Sequence, residues 1–297
     1  MNLCSYFIPN KALFGSFPNQ ETVDFLENQG VRYFINLTSK SEKNIIPYVT
    51  QYTTINYPIK DHSVPCDWKS FSSLIISICS ILNSLQSDEK IYIHCKGGHG
   101  RSGILVACIF CYYYNMPVKD SLERTRECHS KRPTMKDKWR KIGSPQNTVQ
   151  KDFVRKFFEP FRYDKDIGLE NGFDNHSNYK VFIENRGTFD NAYRALYDYK
   201  YGVVLYGLKS ITEEKVIIQK FNWDEKKLEY MTIILHNKLE QNETVRTNLM
   251  STCLRPLIKI SSDQYWGNKH DDTGKNNHGK LLMKLRDDYF FKLFHTV

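Results

Sequence analysis

The stretch from Lys90 to Phe110 constrains this chain more than any other. Lys90-Ile91-Tyr92-Ile93 reads as a buried strand, and Gly103-Ile104-Leu105-Val106-Ala107-Cys108-Ile109-Phe110 reads as a buried helix. Between them stands His94-Cys95-Lys96-Gly97-Gly98-His99-Gly100-Arg101-Ser102, which spells Cys-x5-Arg-Ser. A strand, a glycine-rich turn and a helix start make an anion cradle, because backbone N–H groups and the positive helix end point at one spot. Glycines at 97, 98, 100 and 103 let the backbone approach that spot closely. Cys95 lies at the base of the cradle and Arg101 closes its far side.

The flanking sequence places this unit in an alternating pattern. Val31–Leu37 and Thr53–Ile59 read as strands. Apolar residues at 71, 74, 75, 78, 81, 82 and 85 fall at helical spacing. Ser144-Pro145 is expected to open a further helix, with Ser as N-cap and Pro in the first turn, striped by Val149, Phe153 and Phe157. Alternation of this kind predicts an α/β fold with a mostly parallel sheet flanked by helices. At 297 residues the chain is long for one core, so two domains are expected. Asp, Asn and Gly crowd together near Pro160 to Asn178, which puts a linker at about residues 162–172. The expected domains are therefore 1–162 and 173–297. The second is predicted to be mainly helical, with Leu228, Met231, Ile234, Leu235 and Leu239 on one helix and Leu282, Leu285, Tyr289 and Leu293 on another.

Charge narrows the ligand class. The net charge is +9, and Lys131 to Lys141 carries six basic residues against Asp137 alone. This favours phosphoesters, nucleotides or nucleic acid as partners. The eight cysteines show neither a disulfide framework nor paired zinc-knuckle spacing, and several lie in apolar runs, so a reducing interior fits. His270 and His278 share a loop with Asp271 and Asp272, but their spacing is not that of a metal site. No metal and no cofactor is expected. The longest apolar stretch, Ile104 to Tyr114, is too short for a bilayer, and the first residues lack signal-peptide order. The expectation is a soluble cytoplasmic protein with no membrane span.

Phosphate chemistry follows from the cradle. A phosphomonoester resists attack because it is already charged, so a catalyst must neutralise its oxygens, supply a nucleophile and protonate the leaving oxygen. A thiol attacks only as its thiolate, the form that N–H dipoles, a helix N-terminus and a guanidinium favour. Arg101 offers a planar fork matching two phosphate oxygens. Ser102 is placed to hydrogen-bond the departing sulfur. The general acid is assigned to Asp61, on a loop after the second strand, with Asp67 as the fallback. Lys96, Gly97, Gly98, His99 and Gly100 would contact the phosphate, with Lys96 and His99 adding positive charge.

These residues resemble the cysteine-dependent protein tyrosine phosphatase superfamily, closest to its small dual-specificity branch, over roughly residues 1–160. The resemblance rests on His94-Cys95-(x5)-Arg101-Ser102-Gly103, on Asp61 with nearby Pro65, and on Ser144-Pro145-Gln146-Asn147-Thr148-Val149-Gln150. It implies a two-step reaction through a phosphocysteine, with Asp61 as acid and then base. Gln146, and with it Gln150, would position the hydrolytic water. The substrate it points to first is protein phosphotyrosine or phosphoserine/threonine. Phosphoinositides and RNA 5′-ends are the alternatives.

A second pocket is legible near the C-terminus. An Asp beside Trp-Gly, a Gly-Lys-Asn turn and a helix would form a polar pocket with an aromatic wall, where Trp266 stacks a base or anchors the core. The helix opened near Gly279 offers a phosphate its N-terminus. Asp263, Trp266, Gly267, Gly274, Asn276, Gly279, Leu282, Met283 and Arg286 match the NADAR (YbiA-like) family over about residues 173–290, as do Trp223, Met231 and Lys238-Leu239-Glu240-Gln241-Asn242. The resemblance implies a domain that cleaves N-glycosidic bonds, on ribosylated pyrimidine intermediates or on ADP-ribose attached to guanine. Lys200 and Asp263 match family positions, and Trp266, Gly267 and Asn276 would contact the ligand. In the early family motif Phe189 stands for Trp, Tyr193 for Glu and Arg194 for His. A shifted alignment offers Asp190 or Asp198 as the acid. Without that Glu the alternative is a module that binds ADP-ribose or phosphate without turnover.

Overall fold

The computed structural model describes residues 3–39, 41–201, 222–269 and 272–295. The chain forms two compact units, residues 1–159 with 290–297, and residues 160–289.

The first unit holds strands β1 (Cys4–Ile8), β2 (Ala12–Ser16), β3 (Val31–Asn36), β4 (Thr53–Asn56) and β5 (Lys90–Cys95), and helices α1 (Gln20–Asn28), α2 (Trp68–Ser84), α3 (Arg101–Tyr113), α4 (Val118–Ser130), α5 (Asp137–Ile142) and α6 (Thr148–Phe157). Its sheet has the order β1-β2-β5-β3-β4. Only the β1–β2 pair is antiparallel. β5 is the central strand, and Ile91 to Cys95 are all buried, as a parallel strand covered on both faces requires. α1 sets Val23 and Leu26 against Leu13, Phe34 and Tyr92. α3 is buried from Arg101 to Cys111 and packs against α2, α4 and α6. The cradle therefore sits at the carboxyl end of the central strand, where open α/β sheets place their ligands.

Local chemistry sets the element ends. Asp67 caps α2 by accepting from the N–H groups of Lys69 (2.9 Å) and Ser70 (3.3 Å). Two expectations are corrected around α6. Its cap is Asn147, which accepts from Gln150 N at 2.9 Å, and the cis Ser144–Pro145 pair lies ahead of the helix. Ser144 instead donates to the His99 carbonyl at 2.6 Å. Val149 is 64% exposed, so Phe153 and Phe157 form the buried stripe without it.

The second unit contains β6 (Phe161–Tyr163), α7 (Lys165–Asn171), β7 (Val181–Ile183), β8 (Gly187–Phe189), α8 (Ala192–Tyr201), α9 (Trp223–Gln241), α10 (Glu243–Ser251), β9 (Leu257–Lys259) and α11 (Asn277–His295), the last running past residue 289. β6 pairs with β9 in parallel, and β7 with β8 as a hairpin. The core gathers Tyr163, Phe173, Met231, Leu235, Leu239, Leu249, Leu257 and Leu282. The stretch at about 162–172, whose composition reads as a linker, is taken up largely by β6 and α7. Asp164 caps α7 by accepting from Ile167 N at 3.0 Å, and Gly172 ends it at φ 78°. Cap and turn residues share the composition of a linker. Among the described residues, no helix is long and apolar enough to cross a membrane.

Candidate functional sites

In the first unit, β5 delivers Cys95 and α3 begins at Arg101, so the loop between them is pinned at both ends. Cys95 is 3% exposed, and Ser102 Oγ lies 3.5 Å from its Sγ. Gly98 has φ +72°, and a side chain there would collide with the Gly15 backbone, so only glycine fits. Gly100 lies against the Gln150 amide, which is fully buried.

Arg101 is 1% exposed and is held by two carboxylates and a backbone carbonyl. Nη1 pairs with Glu42 Oε1, and Nη2 donates to Glu42 Oε2 at 3.1 Å. Nη2 also meets Asp61 Oδ1 at 2.9 Å, and Nη1 donates to the Ile59 carbonyl at 2.9 Å. Burial pushes the Glu42 carboxyl up, but Arg101 and the N–H of Ser39 outweigh it and hold it below its ordinary value. Glu42 has no sequence signal, since it lies in a Ser/Lys segment that reads as a solvated loop.

Asp61 is brought to the cradle, whereas Asp67 is engaged as a helix cap. The glutamine segment grips the Asp61 loop. Gln146 Nε2 lies 2.6 Å from His62 Nδ1, Asn147 Nδ2 donates to the His62 carbonyl (3.2 Å) and Gln150 Nε2 donates to the Ser63 carbonyl (3.2 Å).

The two basic loop positions differ from one another. Lys96 is exposed and donates to the Lys43 carbonyl at 3.0 Å. His99 carries no charge at neutral pH: burial, with Arg132 adding to it, pushes it down to about 4. Its Nδ1 lies 2.7 Å from His129 Nε2, and its ring stacks on Trp139 at 4.4 Å. It braces the loop, and the cation assigned to it is absent because an apolar, arginine-flanked setting disfavours the imidazolium. His94 is likewise neutral, pushed by burial to about 3, and lies 2.8 Å from the Tyr48 hydroxyl.

The second unit carries a cavity of about 440 Å³. Lys200, Lys227, Lys259 and Asp263 supply its charge, and Tyr193, Tyr197, Tyr265 and Trp266 its aromatic wall. Asp263 shapes the Trp-Gly turn by accepting from Tyr265 N (2.8 Å) and Trp266 N (3.1 Å). Trp266 lines the cavity and packs on the core. Gly267 donates its N–H to the Asp263 carbonyl at 2.9 Å, which closes the same turn. Asn276 does not line the cavity. It donates to the Leu257 carbonyl (2.8 Å) and accepts from Lys259 N (3.0 Å), tying the turn to β9. Of the N–H groups that open α11 ahead of Gly279, that of Asn277 is donated to the Tyr265 carbonyl (3.3 Å) and that of His278 to the Trp266 carbonyl (3.0 Å), so neither is left for the expected phosphate.

Tyr193 lines the cavity and stacks on His176 at 4.2 Å. Neither alternative acid lines it: Asp198 is buried against Arg186 at 2.7 Å, and Asp190 is exposed. Behind the wall, Asp174 binds Lys259 Nζ at 3.1 Å and His176 Nδ1 at 3.0 Å. Burial pushes Asp174 up, but Lys259 and His176 outweigh it and hold it at about 2. Lys238, 1% exposed, donates to the Asp174 carbonyl (2.8 Å) and Ser177 Oγ (2.7 Å). Burial pushes it down to about 7, with Asp174 opposing the fall and Lys259 adding to it. His278 is buried between the Tyr163 hydroxyl and Asn175 Oδ1, both at 3.0 Å, while His270 and Asp271 lie outside the described residues.

Comparison with known proteins bears on both units. The family described as "Polymorphic toxin system, DSP-PTPase phosphatase" matches residues 11–114, and the NADAR domain matches residues 208–289. "Putative tyrosine phosphatase 067L" of Invertebrate iridescent virus 3 is 39% identical over 173 residues, covering 58% of this chain and 72% of that protein. "Putative tyrosine phosphatase 197R" of Invertebrate iridescent virus 6 is 28% identical over 301 residues, covering 98% of this chain and 96% of that protein. "N-glycosidase YbiA" of Escherichia coli (strain K12) is 37% identical over 67 residues, covering 22% of this chain and 42% of that protein. The chain belongs to the family of these iridescent-virus proteins, with a tyrosine- or dual-specificity-phosphatase-like domain followed by a NADAR domain.

Proposed function

We propose that the first unit hydrolyses phosphomonoesters on protein tyrosine, serine or threonine through a phosphocysteine at Cys95. The observation that carries this reading is the Cys95 thiol at the base of the loop with Arg101 clamped at its rim by Glu42. In the first step the Cys95 thiolate attacks phosphorus, the P–O ester bond breaks and Asp61 gives its proton to the leaving oxygen. In the second, water attacks phosphorus, the P–S bond breaks and the water proton passes to Asp61. Ser102 hydrogen-bonds the thiolate as it leaves. An incoming phosphoryl group competes with Asp61 for Nη2 of Arg101, and release from that pair frees Asp61 to carry a proton. Gln146 and Gln150 hold the Asp61 loop through His62 and Ser63, beside the role for water positioning. The Cys95→Ser variant tests the mechanism: it is expected to lose hydrolysis of an aryl phosphate while still binding tungstate, a non-covalent phosphate analogue. Wild-type turnover by that variant would overturn it.

For the second unit we propose a nucleotide-like ligand carrying an N-glycosidic bond, such as an ADP-ribosylated base. Its phosphates would meet Lys200 and Lys227, and its base the tyrosine and tryptophan faces. Cleavage would rest on Asp263 and Lys200. The stack of Tyr193 on His176 favours the second reading, binding without turnover, because it sets a ring where the family motif has Glu.

A further inference from the structure

A groove of about 670 Å³ runs between α4, α5 and α6 of the first unit, outside the catalytic loop. Its charge is one-sided. Lys119 and Arg126 come from α4, Lys141 from α5, and Lys151 and Arg155 from α6, against Glu123 alone. Arg126 leans to Glu123 at 3.6 Å, and Arg155 to Asp152 at 2.5 Å. Lys119, Lys141 and Lys151 make no ion pair among the described residues. Cations converging from three helices repel one another and raise the local concentration of anions. Between them Val118, Leu122 and Ile142 are half-buried and form an aliphatic floor. Ser144 lies at the groove and donates to the His99 carbonyl, so one hydrogen bond separates it from the catalytic loop.

The lining chooses between polyanions. Sites for single-stranded nucleic acid interleave basic groups with aromatic rings on which bases stack. This groove has no aromatic side chain in its lining, and its apolar contacts are aliphatic. We propose that it docks an acidic segment of a phosphoprotein substrate, with Asp and Glu on the lysines and aliphatic side chains on the floor. The proposal rests on the phosphatase reading of the first unit and adds its substrate class.

The test uses the full chain and two phosphotyrosine peptides of equal length. One carries a run of Glu and Asp interspersed with Leu, and the other carries Gln and Asn in place of the acids. The acidic peptide is expected to show a kcat/KM at least ~10-fold higher, expressed in KM and lost at high salt. The Lys119→Glu/Lys151→Glu double variant should erase that advantage while leaving aryl phosphate turnover unchanged. Equal kcat/KM for the two peptides, or an advantage that survives the charge reversal, overturns the proposal. So does an oligoribonucleotide that binds the wild type but not the double variant while the acidic peptide binds both alike. Failure to hydrolyse even the aryl phosphate would strike the phosphatase reading alone. Fluorescence anisotropy of the acidic peptide against wild type and double variant then still decides the groove.

Discussion

Glu42→Ala is the most informative perturbation of the first unit. Glu42 has no place in a Cys-x5-Arg motif, yet both of its oxygens bond Arg101, and it also accepts from Ser39 N at 3.0 Å. Its side chain is 13% exposed and that of Arg101 only 1%. Removing one partner of a fully buried ion pair costs about 3–5 kcal/mol, because the other charge is left unpaired. Here the guanidinium keeps Asp61 and the Ile59 carbonyl, so roughly half of that loss is expected, about 2 kcal/mol. For a domain of this size that lowers Tm by about 4–8 °C. The freed guanidinium also loses the fork that aims it across the cradle, and a misplacement of about 1 Å costs on the order of 100-fold in rate. Thermal unfolding and kcat/KM on an aryl phosphate measure the two effects. Glu42→Gln keeps shape and one acceptor, so it should fall between wild type and Ala on both scales. An Ala variant with unchanged Tm and unchanged kcat/KM would refute the claim that Glu42 positions Arg101.

Three further outcomes are expected. Asp61→Asn should lower turnover by roughly 100-fold or more for poor leaving groups and far less for good ones, because only the former need a proton; equal losses across a leaving-group series would remove Asp61 as the acid. Lys238 titrates near 7 when folded, against an ordinary value of 10.5, so between these values the unfolded chain binds the extra proton and stability rises with pH. Lys238→Met should flatten that rise in urea titrations from pH 7 to 10, and an unaltered slope would show that Lys238 is not its source. Offered ADP-ribosylated guanine, the wild type should bind it and the Lys200→Ala and Asp263→Ala variants should bind it more weakly; base release by wild type alone would establish cleavage, and no binding by wild type would discard the ligand class.

The parts read directly from the sequence share one property, which is that short-range geometry sets them. Strand, loop and helix from Lys90 to Tyr113 follow from an apolar run, closely spaced glycines and a second apolar run. Local composition also carries second readings. The Asp, Asn and Gly near 164–172 are cap and turn residues of α7, the same types that fill linkers. Ser144-Pro145 has the composition of a helix start, but Ser144 is drawn to the His99 carbonyl and the cap passes to Asn147. His99 looked like a cation because a sequence carries no burial.

By itself the sequence determined that Cys95, Arg101 and Ser102 share one cradle, since eight residues of glycine-rich loop and helix start leave them nowhere else to be. It also determined that the chain carries a second, NADAR-like half. Only the tertiary structure decided what holds the cradle. Glu42 reaches Arg101 across 59 positions, and His62 meets Gln146 across 84. Those pairings depend on the register of β3, β4 and β5, which sets the loops after parallel strands side by side at the carboxyl ends of the strands. A loop of ordinary polar composition becomes part of a site only when that register brings a buried guanidinium within its reach.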